Sequence, residues 1–136
     1  MLLLGASGAG KSDLLLRLID RGFALVADDQ VLIEAGQARP PAALAGLIEV
    51  RGLGLLRMDH VAPVPLALVL ALDDASADPH GEDRRLPEPR RHPVLKLPLL
   101  RIAPLMASAA CRVEIALDCV LGRRTLMVGA LSTEHS

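Results

Sequence analysis

The chain has 136 residues, 51% of them hydrophobic, which is the size of one domain with a substantial core. Its net charge of -1 and its single aromatic residue, Phe23, exclude the basic face of a nucleic-acid-binding protein and the stacking platform of an RNA-binding one. Two cysteines are too few for a disulfide framework, and no apolar run is long enough to span a membrane. We therefore expect a cytoplasmic protein without nucleic-acid or membrane partners.

The first part of the chain alternates apolar runs with turn signals. Residues 1–4 predict a buried strand that enters a glycine-rich turn. Residues 12–21 carry leucines at helical spacing and predict an amphipathic helix that ends at Gly22. The next apolar runs, 24–27 and 31–34, are typical of strands. This strand–loop–helix–strand order predicts an α/β fold.

The rest of the chain holds shorter signals. Residues 36–41 predict a turn, and the prolines and arginines of 75–93 predict a mobile loop. Pro104 is expected in the first turn of a helix that runs to about residue 121. Residues 47–50 and 94–100 predict further strands, and residues 66–72 predict a strand or a buried segment. Residues 126–128 are a last short apolar run. No repeat and no second domain is indicated, so we expect one domain over residues 1–136.

One segment carries a complete phosphate-binding motif. The pattern G-x4-G-K-[ST] is matched by Gly5, Ala6, Ser7, Gly8, Ala9, Gly10, Lys11 and Ser12. Its glycines allow successive backbone N–H groups to point at phosphate oxygens, and the following helix adds its positive N-terminal end. We expect Lys11 to reach the β and γ phosphates and the Ser12 hydroxyl to ligate Mg²⁺. The motif predicts a nucleotide site and leaves the reaction open.

A phosphate-transferring site also needs a carboxylate, and two pairs are suitably placed. Asp28 and Asp29 end one apolar run, and Asp73 and Asp74 end a later one. Both pairs have the pattern of a strand that ends in acid, so the pattern alone does not choose between them. The absence of asparagine excludes a GTPase that reads guanine through Asn-Lys-x-Asp, and the absence of Ser-Gly-Gly-Gln disfavours an ABC-type ATPase.

Three segments in this order resemble the catalytic domain of HPr kinase/phosphorylase. They are the phosphate loop with the acidic residue at 13, the run Arg21-Gly22 with Leu25-Val26-Ala27-Asp28-Asp29-Gln30-Val31, and the signature-like run Ile48-Glu49-Val50-Arg51-Gly52-Leu53-Gly54-Leu55. The resemblance covers residues 1–57 and implies a P-loop kinase domain of the HPr kinase type (PEP carboxykinase-like), with a central mixed sheet and flanking helices. The short form resembles the alphaproteobacterial versions that lack an N-terminal domain.

The resemblance also implies a reaction and its partners. Members of this family transfer the γ-phosphoryl group of ATP, with Mg²⁺, to a serine of HPr, the phosphocarrier of the sugar phosphotransferase system, and so regulate carbohydrate metabolism. The implied substrate here is HPr or a nitrogen-branch relative of it. The family's hexamers imply a homo-oligomer.

By the same resemblance, four residues receive roles. Asp29 is the implied base that takes the serine proton, because a serine hydroxyl is a poor nucleophile until a carboxylate accepts that proton. Asp28 lies near the metal or supports Asp29, and Glu49 is a second Mg²⁺-linked carboxylate. Arg51 orients phosphate or pairs with Glu49; a purely structural ion pair is the competing interpretation.

The chain departs from the family's pattern at three places. The family carries a histidine on a strand upstream of the phosphate loop, and no residue here can take that place. We expect an upstream strand to be missing from this sequence, either because the true start lies further upstream or because the protein has lost that histidine and strand. Arg85 or Arg84 stands where the family has an arginine that stabilises the transferring phosphoryl group, without the family's glycine context. A solvated loop is the competing interpretation of these arginines. Residues 99–104 replace an arginine- and glycine-rich segment tied to dephosphorylation, which speaks against the reverse reaction.

Two other functions stay open on the sequence. One is a generic P-loop NTPase or small-molecule kinase that uses Asp73 as its metal carboxylate. The other is a nucleotide-binding module without catalysis, which would bind ATP and not turn it over. The first is separated from the HPr kinase hypothesis by replacing Asp29 and Asp73 in turn.

Overall fold

The computed structural model describes residues 1–5, 10–73 and 87–132, and it divides the chain into two compact units. The first unit comprises Met1–Ala9 and Ala67–Ser136, and the second comprises Gly10–Leu66. The strands are β1 (Leu2–Leu4), β2 (Leu32–Glu34), β3 (Gln37–Arg39), β4 (Leu47–Val50), β5 (Gly54–Arg57), β6 (Val64–Pro65), β7 (Val69–Leu72) and β8 (Leu99–Ile102). The helices are α1 (Lys11–Asp20), α2 (Ala109–Val120) and a 3-10 turn at Ala42–Leu44.

The first unit is built on a three-stranded parallel sheet in the order β1-β7-β8. The central strand β7 is buried on both faces, since Val69, Leu70 and Leu72 are all buried. A continuous apolar run is the pattern expected of a parallel strand that is covered on both sides. Helix α2 buries Ala109, Ala110, Val113 and Ala116, so small residues form most of its inner face.

The second unit joins helix α1 to antiparallel strands. Leu14 and Leu18, one helical turn apart, are almost fully buried, and α1 contacts β4, where Ile48 is completely buried. The helix ends at Gly22 with φ +105°, where Gly22 N–H bonds Ile19 O and Phe23 N–H bonds Leu18 O. These two hydrogen bonds around a left-handed glycine form a Schellman cap, and they confirm the predicted helix end.

Two hairpins complete the second unit. Strands β2 and β3 are joined by Ala35 and Gly36 with φ of +53° and +76°, the two positive values of a type I′ turn. Strand β6 pairs with the other edge of β3. Strands β4 and β5 form the second hairpin, and Met58 N–H bonds Gly46 O just outside it. A Cβ on Gly46 would lie 2.7 Å from the Met58 carbonyl oxygen, so only glycine fits there without displacement.

Several element predictions are wrong. Residues 36–41 include strand β3 as well as a turn, and residues 24–27 form no strand, although Val61 N–H bonds Leu25 O. Strand β8 begins at Leu99, because residues 93–95 form a turn instead of continuing the strand. Helix α2 begins five residues after Pro104.

Other predicted elements are confirmed or lie outside the described residues. An α/β architecture is present, but among the described residues the three-stranded sheet is parallel instead of mixed, because the antiparallel pairs lie in separate sheets. Strands over 1–4, 31–34, 47–50 and 66–72 are present at closely similar bounds. Residues 74–86, most of the expected loop, lie outside the described residues. Both cysteines are free thiols, and no helix in the described ranges is long and apolar enough to cross a bilayer.

Candidate active site

The residue that ends the phosphate motif is bonded to one of the two acidic pairs. Ser12 Oγ, in the first turn of α1, donates a hydrogen bond of 2.9 Å to Asp28 Oδ1. The helix begins at Gly10, whose φ of +94° turns the chain into the helix, and Leu14 N–H closes the first turn on Gly10 O. Among the described residues no side chain caps the first backbone N–H groups of α1, so these groups are suited to binding an anion.

The carboxylate of Asp28 is held from a second side by strand β4. Glu49 N–H donates a hydrogen bond of 3.0 Å to Asp28 Oδ2. Strand β4 is anchored beneath this contact by the fully buried Ile48. Asp28 therefore bridges the start of α1 and the middle of β4, and both of its oxygens are placed by the fold.

The neighbouring Asp29 differs from Asp28 in its exposure and its hydrogen bonding. Its side chain is exposed, and it forms no hydrogen bond or ion pair with the residues that the structure describes. Lys11 is half-buried and likewise forms no ion pair within ranges 1–5, 10–73 and 87–132. Within the described residues, the Asp29 carboxylate and the Lys11 ammonium group are thus both unpaired, and they belong to the same unit as the Ser12–Asp28 pair.

The signature-like segment contributes through its backbone rather than through an ion pair. The side chains of Glu49 and Arg51 are both exposed, and the Glu49–Arg51 pair that the resemblance offered as an alternative is not formed. Arg51 lies in the turn that connects β4 to β5, where Leu53 N–H bonds Val50 O. The guanidinium group of Arg51 has no partner in the described part of the chain.

The rival carboxylate, Asp73, is paired with an arginine of the first unit. Asp73 Oδ2 accepts hydrogen bonds from Arg101 Nη2 at 2.6 Å and from Arg101 Nε at 2.8 Å. The backbone N–H of Asp73 also bonds Ile102 O. Asp73 follows β7 at the sheet edge where Gly5 follows β1, because these two strands run parallel. The negative charge of Asp73 is thus balanced by the half-exposed guanidinium group of Arg101. The carboxylate of Asp28, in contrast, is bonded only to a hydroxyl and a backbone amide among the described residues.

The oxygen donors around Asp28 fit a magnesium ion. Magnesium is usually held by one or two carboxylates and a hydroxyl, with waters and substrate phosphates in the remaining positions. Ser12 and Asp28 provide such a pair, and Glu49 follows on the adjoining strand. No group of three or more His, Cys, Asp or Glu side chains forms a protein-only metal cage among the described residues. Six of the expected site residues lie outside the description, namely Ala6, Ser7, Gly8, Ala9, Arg84 and Arg85.

Comparisons with known proteins agree with this arrangement. Residues 1–62, which contain Ser12, Asp28 and Glu49, match the family model described as the HPr Serine kinase C-terminal domain. The chain is 34% identical over 146 aligned residues to an HPr kinase/phosphorylase of Burkholderia cenocepacia, and the alignment covers 98% of the chain. An HPr kinase/phosphorylase of Paraburkholderia phymatum matches with the same identity and coverage. The chain is thus similar to HPr kinases/phosphorylases over almost its whole length.

This similarity covers only part of the relatives' length. The chain spans 44% of the length of the curated HPr kinases/phosphorylases that it matches. A solved structure named as the Hpr(Ser) kinase/phosphatase from Coxiella burnetii shares the fold, with a TM-score of 0.70 at 23% identity over 89% of this chain and 87% of that one. The predicted fold class, an HPr kinase-type α/β domain, is therefore confirmed. The alphaproteobacterial short form stays a prediction.

Two features of the site were not predicted from the sequence. The first is that Glu49 holds Asp28 through its main-chain N–H, for which a residue-type pattern carries no signal. The second is the Arg101–Asp73 pair. Its signal was present in the sequence, since each residue directly follows an apolar run typical of a strand, but the parallel pairing of β7 with β8 was not known.

Proposed function

We propose that this chain is an ATP-dependent protein-serine kinase whose substrate is HPr or a nitrogen-branch relative of it. The observation that carries the proposal is the Ser12–Asp28–Glu49 arrangement, since it joins the end of the phosphate motif to a carboxylate inside the family-matched segment. The Asp73–Arg101 pair supports this choice over a kinase that uses Asp73 as its metal carboxylate. As a regulator of the phosphotransferase system, the protein would act in the cytoplasm.

The chemistry divides among the chain's own residues. The oxygen of the substrate serine forms a bond to the γ-phosphorus of ATP while the bond from that phosphorus to the ADP oxygen breaks. Asp29, exposed and free of partners among the described residues, accepts the serine proton. Lys11 and the uncapped N–H groups at the start of α1 bind phosphate oxygens.

The remaining roles concern the metal and the charge that develops during transfer. Ser12 and Asp28 would hold Mg²⁺, with Glu49 as a further carboxylate near them. When bound, Mg²⁺ neutralises charge on the β and γ phosphates. Arg51 would orient a phosphate group, and Arg85, or its neighbour Arg84, would stabilise the transferring phosphoryl group.

The test is phosphate transfer from Mg-ATP to purified HPr, followed by intact mass. The expected product is HPr with one phosphate on serine, which is absent with Lys11→Ala. Asp29→Asn should lower kcat by roughly 10²–10⁴-fold, the usual range for a lost general base, while ATP binding remains. Asp73→Asn should retain transfer. Loss of transfer with Asp73→Asn alone would instead support the rival enzyme, and ATP binding without any turnover would indicate a silent module.

The direction of the reaction and the assembly are separate parts of the proposal. Phosphorylated HPr incubated with inorganic phosphate should keep its phosphate, because residues 99–104 lack the glycines of the family segment tied to dephosphorylation. Release of pyrophosphate would refute this part alone. We further propose a homo-oligomer, a hexamer by family resemblance, which light scattering of the purified protein would measure.

A further inference from the structure

The β4–β5 hairpin exposes large apolar side chains beside the candidate site. Leu53 in its turn is 80% exposed and Leu55 on β5 is 70% exposed. All four residues of β5 are exposed, and among the described residues β5 pairs with β4 alone, so its other edge is unpaired there. Exposed leucines in such a cluster mark interaction surfaces more often than isolated ones do.

The strand register places Leu55 beside Glu49. Residues 49 and 55 are directly opposite each other, and so are Ile48 and Leu56. Because Ile48 is fully buried and side chains alternate along a strand, Glu49 and Leu55 share the outer face. The Glu49 N–H points away from β5, to Asp28, so 49 and 55 form a non-hydrogen-bonded pair, in which side chains approach most closely.

This outer face is continuous with the proposed catalytic residues. The Glu49 N–H lies 3.0 Å from the Asp28 carboxylate, and Asp29 is the next residue along the chain. A serine hydroxyl that reaches Asp29 therefore brings the surface around that serine to the hairpin. Glu49, Asp28 and the whole hairpin belong to the same compact unit.

The charges of the hairpin indicate what kind of surface it fits. Arg51 and Arg57 are exposed and outnumber Glu49, which gives residues 47–57 a net charge of +1. Neither arginine is ion-paired within the described residues, and Arg57 Nη1 makes only a long contact of 3.4 Å to Ala45 O. A complementary surface is apolar at its centre and acidic at its rim.

We propose that the outer face of the β4–β5 hairpin, formed by Glu49, Leu53, Leu55 and Arg57, is the docking surface for the protein substrate. The proposal rests on the function proposed above and names the part of the chain that selects a folded protein rather than a free serine. Binding of a nucleotide's phosphates does not require two exposed leucines, whereas binding of a protein would bury both side chains against an apolar surface. Leu53 and Leu55 are the apolar anchors, and Arg57 meets the acidic rim.

The experiment compares steady-state phosphorylation of HPr by the whole chain and by three variants. The double variant Leu53→Ala/Leu55→Ala should raise KM for HPr at least tenfold, since a tenfold change corresponds to about 1.4 kcal/mol and each buried leucine usually contributes more than that. Its kcat and its KM for ATP should not change. Arg57→Gln should raise KM for HPr a few-fold and weaken the dependence of KM on salt. The matched control is Leu105→Ala, because Leu105 of the first unit is 81% exposed and should leave all constants unchanged.

Each other result overturns the proposal in a distinguishable way. An unchanged KM for HPr in the double variant, with wild-type transfer intact, refutes the docking surface and leaves the kinase function standing. A parallel loss of ATP affinity means that the leucines support the fold of the site. A change in particle mass by light scattering means that a second copy of the chain covers this face. No binding and no phosphorylation of HPr by the wild-type chain refutes the proposed function, and the docking surface with it.

Discussion

Substitutions of the two adjacent aspartates of the candidate site should differ in their effect on stability, although both should abolish catalysis. Asp28 accepts hydrogen bonds from Ser12 Oγ at 2.9 Å and from Glu49 N–H at 3.0 Å, while Asp29 bonds to nothing among the described residues. Asp28→Ala removes both bonds and leaves the half-buried Ser12 hydroxyl without its acceptor. Asp29→Ala removes a solvated carboxylate.

The bonds to Asp28 set the expected size of the effect. A hydrogen bond to a charged group contributes about 1.5–3 kcal/mol when it is shielded from water, and the partial exposure of this site reduces that to roughly 1 kcal/mol for each bond. Asp28→Ala should therefore lower the free energy of unfolding by about 2 kcal/mol. Asp28→Asn keeps one acceptor oxygen and should lose about half as much. Asp29→Ala should stay within about 0.5 kcal/mol of the wild type, as most exposed substitutions do.

Urea unfolding without nucleotide, followed by far-ultraviolet circular dichroism, measures the difference. With an m value of about 2 kcal/mol/M, the midpoint should fall by roughly 1 M for Asp28→Ala and should hardly move for Asp29→Ala. Phosphate transfer to HPr, by contrast, should be lost in both variants. Equal midpoints for the two alanine variants would refute the bridging role of Asp28.

Three further predictions concern the scaffold. Gly46→Ala should destabilise the protein by about 2–4 kcal/mol, because a Cβ would lie 2.7 Å from Met58 O at a φ of +77°. Gly52→Ala, at a φ of +83° with open space around it, should cost only the backbone strain of about 1–2 kcal/mol. Urea midpoints of the two variants compare these costs. Ala35→Asn should raise the thermal midpoint, since asparagine suits the φ of +53° in a type I′ turn. Leu14→Ala should cost about 2–5 kcal/mol in urea unfolding, because Leu14 is completely buried.

Elements that depend on neighbours in the sequence were well predicted. Helix α1 follows from leucines at helical spacing and from Gly22, both of which act within a few residues. Strand β7 follows from an unbroken apolar run. Elements that depend on distant partners were not. Residues 24–27 have the composition of a strand, yet a strand requires a paired neighbour, and Val61 N–H supplies a bond to Leu25 O alone.

Strand β5 shows the opposite error. Its sequence begins with glycine and does not alternate apolar and polar residues, so the pattern does not predict a strand, and its leucines are exposed. The strand forms because β4 pairs with it along four residues. Neither its existence nor the orientation of Leu55 on the outer face could be read from composition, since both follow from the pairing register. The docking surface on the outer face of the β4–β5 hairpin could therefore not be predicted from the sequence.

The sequence by itself determined the phosphate motif, the α/β class and the family resemblance, because each rests on residue types at short, fixed spacing. It also supplied two acidic pairs between which the pattern alone could not choose. Only the tertiary structure separated them, by bonding Asp28 to Ser12, 16 residues away, and Asp73 to Arg101, 28 residues away. Hydrogen bonds act over about 3 Å, and which groups come that close is decided by how the chain packs.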